Sequence, residues 1–270
     1  MQFLLFFILL LQIIIIIFKN IKQNNTIQQN KKTTMELDLL SNLHNKNVFI
    51  FDTETTGLPE RVPHAVWGSS SEYWLYSMND KYDKSRIVSM AWSSYNNFTK
   101  EQLTANNIQY HIRYPEGFTE IPTTHIHGIS YDEAVYTGKP FNDIFENRGL
   151  YNDLINADYI IAHNVFFDIH ILLNELYRLN TPLSQKTIAH ILNLIALNRC
   201  ICTGNISKNI CKLSFSKSFY PSNKKQKLNN YKMPKLAELY KYYYNTEITN
   251  AHNASGDVNT LQLCLAKMLC

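Results

Sequence analysis

The sequence is poor in cysteine. There are five in 270 residues (Cys200, Cys202, Cys211, Cys264, Cys270), an odd number with no CxxC pair. That excludes a disulfide framework and a zinc ribbon. Cys200-x-Cys202 with Cys211 has no nearby histidine to complete a metal site, so free thiols in a reducing compartment are expected. Only eight glycines are present and no internal repeat is visible, which excludes collagen-like arrays. Hydrophobic residues at 45% with charged residues at 18% exclude wholesale disorder and a coiled coil.

A long membrane-spanning run is also missing. Residues 3–18 are apolar except for Gln12. As a helix they would rise roughly 24 Å, short of a hydrocarbon core of about 30 Å. No basic residue precedes the run, and Lys19-Asn20-Ile21-Lys22 follows in place of a small-residue cleavage site, so it makes a poor secretory signal. Residues 1–18 therefore read as a hydrophobic leader. It is either a dispensable extension ahead of the more ordinary start Met35-Glu36-Leu37, or a short anchor that leaves the following chain on the cytosolic side. Residues 19–45 read as a polar linker, Asn/Gln/Lys-rich through residue 34, and 46–270 as the folded domain. The expected location is cytoplasmic or nuclear, with any membrane attachment running through residues 3–18.

Acidic residues are absent from positions 1–34, whose four lysines equal the entire net charge of +4. The remainder is neutral but polarised. Residues 199–241 hold ten basic side chains against Glu238 alone, and residues 35–198 hold 11 basic against 19 acidic. An acidic body with one basic segment suits a cation in one place and a polyanion in another.

The periodicities predict an α/β fold with a mixed sheet flanked by helices. Strands are expected at 47–52, 86–92, 107–114, 159–162 and within 194–203. Ser130 with Glu133 signals a helix start, and Pro140 another that runs to about Ala157. Ile169, Leu172, Leu173, Leu176 and Leu179 share one helical face. The basic stretch 204–232 lacks periodicity and reads as a loop, after which Pro234 starts a helix and a last helix carries Leu261, Cys264, Leu265 and Met268.

Acidic residues recur at element ends. Asp52 and Glu54 close the first strand and, two apart, project from one face. Two adjacent carboxylates repel unless one is protonated or a cation lies between them, and a hard divalent ion fits oxygen donors. Asp168 sits in the first turn of a helix after a short strand, and His252-x4-Asp257 straddles a loop and a helix start. On a continuous helix that last pair would point about 140° apart, so convergence requires His252 on the loop.

Phe51-Asp52-Thr53-Glu54-Thr55-Thr56-Gly57-Leu58-Pro59, His163-Asn164-x-x-Phe167-Asp168 and His252-x4-Asp257 resemble, in order and context, the three motifs of the DEDDh branch of the DEDD exonucleases. That family includes the proofreading epsilon subunit of bacterial DNA polymerase III, ribonuclease T and oligoribonuclease. His127-Gly128-Ile129-Ser130 and Lys235-Leu236-Ala237-Glu238-Leu239-Tyr240 also look like family segments, and the resemblance covers about 47–269. It implies a ribonuclease H-like fold and metal-dependent 3′→5′ exonuclease activity on DNA or RNA with a free 3′ end, releasing nucleoside 5′-monophosphates. It implies two Mg²⁺ (or Mn²⁺) ligated by Asp52, Glu54 and Asp257, with Asp168 completing the site directly or through water. His252 would be the general base. Thr55, Gly57 and Leu58, with Asn164 and Phe167, would hold the terminal nucleotide.

The chain departs from compact members at 58–85 and 204–232, both read as insertions flanking the substrate entrance. The basic segment, with Phe215, Phe219 and Tyr220 among its lysines, reads either as a grip on the nucleic-acid backbone or as a solvated insertion. His125, His127, His163 and His170 are expected to be structural. Two rival functions remain: a nucleic-acid-binding module of this type without turnover, and a phosphatase of another class. An aspartyl-phosphate phosphatase would want Asp where Glu54 stands.

Overall fold

The computed structural model describes residues 39–65, 68–104, 107–215, 231–248 and 253–270. Two units are separable, 1–41 and 42–270. Of the first only the helical residues 39–41 are described. No helix among the described residues is long and apolar enough to cross a membrane. The leader 1–18 lies outside the described residues.

The second unit is built on β1 (Val48–Thr55), which is apolar on both faces because it is central. It pairs antiparallel with β2 (Ile87–Tyr95) and parallel with β4 (Tyr159–Ala162). β3 (Gln109–Ile112) lies antiparallel outside β2, and β5 (Cys200–Cys202) parallel outside β4, giving the order β3-β2-β1-β4-β5. This is the expected mixed sheet.

Strand alternation divides β1 between two layers. Phe49 and Phe51 pack into the main core with Trp92, Ile160 and the helices α3 (Phe141–Asn147), α4 (Leu150–Ile155), α5 (Val165–Leu179) and α6 (Pro182–Ala196). The opposite face is covered by α9 (Ala254–Met268). There Gln262 donates 2.7 Å to Ser93, which stands opposite Ile50. Asp52 and Glu54 keep the phase of Ile50 and so emerge on the α9 side. The remaining helices are α1 (Thr124–His127), α2 (Tyr131–Thr137), α7 (Thr203–Cys211) and α8 (Leu236–Tyr244).

Several elements differ from expectation. The helix begun by Pro140 is two, because Gly149 at φ 93° takes the left-handed conformation between α3 and α4. Helix α6 fills 182–196, so the strand expected within 194–203 shrinks to Cys200–Cys202. Thr181 caps α6 by accepting from Ser184 N, and Pro182 opens it. Residues 204–211, expected in a loop, belong to α7, whose N-terminus is capped by the Cys202 thiol accepting from Asn205 N. Residues 216–230, the centre of the basic stretch, lie outside the described residues.

The 58–85 segment is strapped onto α5. Asn174 donates to Tyr76 O and Asn79 Oδ1, Arg178 to Asn79 O and Asp83, and the His170 ring meets Ser70 Oγ at 2.9 Å. Helix α5 is therefore buried nearly all round, not on one face. Its Glu175, 2% exposed, is held by Arg86 Nε at 2.8 Å, Arg113 Nη1 at 2.6 Å and Ile87 N at 3.2 Å.

Candidate active site

The site forms at the carboxyl ends of the parallel neighbours β1 and β4, the edge at which α/β sheets present ligands. β1 delivers Asp52 and Glu54 from one face. Helix α9 begins above them, its start fixed by Asn253, whose Oδ1 accepts from Ser255 N and Gly256 N. Asp257 in that first turn is thereby brought over the strand. Carboxylate oxygens of Asp52, Glu54 and Asp257 lie within 4.8 Å of one another.

Asp168 approaches from the first turn of α5. It stands outside that three-residue group and is 2% exposed. Its Oδ1 accepts from Thr53 N at 3.1 Å and Thr53 Oγ1 at 2.7 Å. Thr53 thus ties α5 to the strand between Asp52 and Glu54. No sequence signal marked it, because its partner is 115 residues away.

The electrostatics follow from crowding. Burial, then the charges of Asp168, Asp257 and Glu54, push the Asp52 carboxyl well above its ordinary range. Burial, then Asp257 and Asp168, raise Glu54 to about 7. Asp168 is raised by burial, against the lowering effect of the Thr53 hydrogen bonds. Carboxyls so placed retain protons near neutrality or exchange them for a cation. An all-carboxylate donor set is hard, which fits Mg²⁺ or Mn²⁺ and disfavours thiophilic metals.

The proposed nucleotide-holding residues are placed as follows. Thr55 Oγ1 donates to Gly57 O at 2.7 Å, and Ser85 Oγ donates to the same carbonyl. A Cβ on Gly57 would lie 2.6 Å from Lys84 O, so glycine is required there by close approach. Leu58 follows this turn and is 68% exposed. Asn164 precedes α5 in the left-handed conformation at φ 70°, without a side-chain capping hydrogen bond, and Phe167 is partly buried against the main core. His252 lies outside the described residues.

His127 and His163 are engaged in internal hydrogen bonds. His127 accepts from Ile129 N and bonds Thr123 Oγ1, which in turn donates to Thr55 O. His163 reaches Thr203 Oγ1 and Pro234 O, joining β4 to α7 and the approach to α8.

No protein-family model matches the chain, and no curated protein matches it. Solved structures do. Pop2p of S. pombe in its Mg²⁺- and Mn²⁺-bound form superposes with a TM-score of 0.51 at 16% identity, over 88% of this chain and 87% of that one. E. coli exonuclease I in complex with a dT13 oligonucleotide gives 0.48 at 16% identity over 82% of this chain. A 3′-exonuclease described in 3′-end specific recognition of the histone mRNA stem-loop gives 0.47 at 11% over 83%. The chain spans only 40% of exonuclease I and 64% of that 3′-exonuclease. The likeness to Pop2p, with the strand order above, shows the ribonuclease H-like fold.

Proposed function

We propose that this chain is a metal-dependent 3′→5′ exonuclease that hydrolyses DNA or RNA from a free 3′ end to nucleoside 5′-monophosphates. The observation that carries this is the convergence of Asp52, Glu54 and Asp257 within 4.8 Å at the carboxyl edge of the sheet, with Asp168 tied alongside. Those residues would hold the ions, two by resemblance. When bound, such ions stabilise the attacking and leaving oxygens of an in-line phosphodiester displacement. His252 takes the proton of the attacking water, a role suited to an imidazole at physiological pH. The rigid 55–57 turn presents Leu58 to the terminal base, and the basic stretch 199–241 supports a grip on the phosphate chain. Five free thiols favour a reducing compartment, the cytoplasm or nucleus. Kinship with the epsilon subunit in particular rests on the motifs alone.

The test uses the full chain with Mg²⁺ or Mn²⁺ and DNA and RNA oligonucleotides blocked at either end. The expected result is stepwise loss from the free 3′ end, abolished by EDTA and by Asp52→Ala or Asp257→Ala. Cleavage that persists in both variants overturns the site. Binding without turnover would identify a non-catalytic module, and release of inorganic phosphate a phosphatase.

A further inference from the structure

The strap 58–85 carries a fixed cation to the edge of the site. Arg61 pairs with Tyr73 through an isolated antiparallel bridge, and Val62 N donates to Glu72 O at 2.9 Å. Glu72 is 4% exposed. One of its carboxylate oxygens accepts from Gly68 N at 2.8 Å, and the other meets Arg61 Nη1 at 2.7 Å. Gly68 O accepts from Asn205 of α7 at 2.8 Å, which pins this turn to the domain. The Arg61 side chain nevertheless keeps 31% of its surface exposed.

Tyr73 relates this arginine to the acidic site. Its ring stacks on His170 of α5 with centroids 4.9 Å apart, and the Asn164 side chain hydrogen-bonds its hydroxyl. Burial, then the Glu72 charge, raises the phenol above its ordinary range. Arg61 opposes that rise and Asp168 adds to it. Arg61 and Asp168 therefore both act on one phenol, beside Asn164, which the resemblance assigns to the terminal nucleotide. A buried ion pair adds little stability over apolar residues of the same volume, but it fixes the direction of a guanidinium. The five N–H donors of that group can serve a carboxylate on one edge and a phosphate on another. Residues 35–198, which include Asp52, Glu54 and Asp168, hold 11 basic side chains against 19 acidic, so an approaching polyanion gains from a cation at the rim. We infer that Arg61 is a substrate contact: its exposed edge binds a backbone phosphate of the nucleic-acid strand outside the carboxylate cluster, and Glu72 is the positioning residue that aims it. This rests on the exonuclease reading and adds to it a residue from outside the three motifs.

The double variant Arg61→Gln, Glu72→Gln removes both charges together and strands neither. Binding of 5′-fluorescein-labelled single-stranded oligothymidylate and oligouridylate in EDTA, read by fluorescence anisotropy over a KCl series, should weaken about tenfold at low salt. The slope of log affinity against log salt should fall by about 0.7, the loss of one phosphate contact on a single strand. With Mg²⁺, KM should rise and kcat change little. Arg61→Lys keeps the charge and loses the fork, so it should bind more weakly with an unchanged slope. A folded double variant with wild-type affinity and slope overturns the inference. Should the double variant melt far below wild type, Arg61→Lys decides: weaker binding at wild-type slope supports the contact, and wild-type affinity overturns it. A wild-type chain that binds the oligonucleotides but never cuts them would defeat the exonuclease reading while leaving the Arg61 contact standing. One that does not bind would defeat both.

Discussion

At the residue scale, the molecule holds a set of charges that do not suit its own stability. Asp52, Glu54 and Asp168 are all raised in the fold above their ordinary values, chiefly by burial. A carboxyl whose folded pKa is raised is favourable at low pH and becomes unfavourable as pH rises through the folded value. Asp52→Asn removes one such charge and nearly preserves shape. Without divalent cations, the variant should gain stability relative to wild type as pH rises, measured by urea unfolding across a pH series. Added Mg²⁺ should raise the melting temperature of wild type and leave the variant nearly unmoved. A wild-type chain indifferent to both Mg²⁺ and Mn²⁺ would contradict the carboxylate cluster as a cation site. Asp52, Glu54, Asp168 and Asp257 were each legible in the sequence by type and spacing. Thr53 was not, because what marks it is a partner 115 positions away along the chain.

At the scale of elements, α5 organises both the core and the site. Its first turn carries Asp168, its middle carries the clamps on the 58–85 strap, and Glu175 binds two arginines from the start of β2 and the end of β3. The two guanidiniums hold the Glu175 carboxyl below its usual range despite burial. Glu175→Ala would strand Arg113, only 2% exposed, beside Arg86 with no buried counter-charge. The expected cost is about 3–5 kcal/mol, read from the urea midpoint. The milder Glu175→Gln should recover part of it by keeping the hydrogen bonds. A stable Glu175→Ala would show that the triad is dispensable. The apolar face of α5 was visible as a repeat of Ile and Leu. Its polar, equally buried face was not, since His170, Asn174 and Glu175 look like solvated positions until the strap covers them. Helix α6 has a start readable in Thr181-Pro182-x-Ser184. Helix α7 has none, because a cysteine thiol is an uncommon cap.

At the scale of the whole molecule, pH couples through buried imidazoles. Burial lowers His163 and His170 each to about 4. The unfolded chain takes up these protons near pH 6.5 and the folded one only near 4. Their stabilisation is thus complete above about pH 6.5 and is lost as pH falls toward 4. Each group contributes about 3 kcal/mol across that window. The raised carboxyls Asp52, Glu54 and Asp168 act in the opposite direction, so the comparison must be between slopes. His170→Gln should be less stable at neutral pH but should show a flatter decline between pH 6.5 and 4 than wild type, followed by circular dichroism in urea. Equal slopes would mean that His170 titrates normally.

The sequence alone determined the element types at the site, the order of its acidic residues and the α/β class. These depend on local patterns of period two and 3.6, on caps and on turn residues, which act over a few positions. It also located the basic charge in 199–241 and the +4 in the first 34 residues. The tertiary structure decided what lies farther apart along the chain. Parallel pairing of β1 with β4 set Asp168 beside Thr53, alternation placed α9 on the face bearing Asp52 and Glu54, and the clamp of 58–85 on α5 buried the polar side of that helix. Such contacts join residues roughly 100 positions apart. They are fixed by which faces must be buried together, and no local propensity encodes that choice.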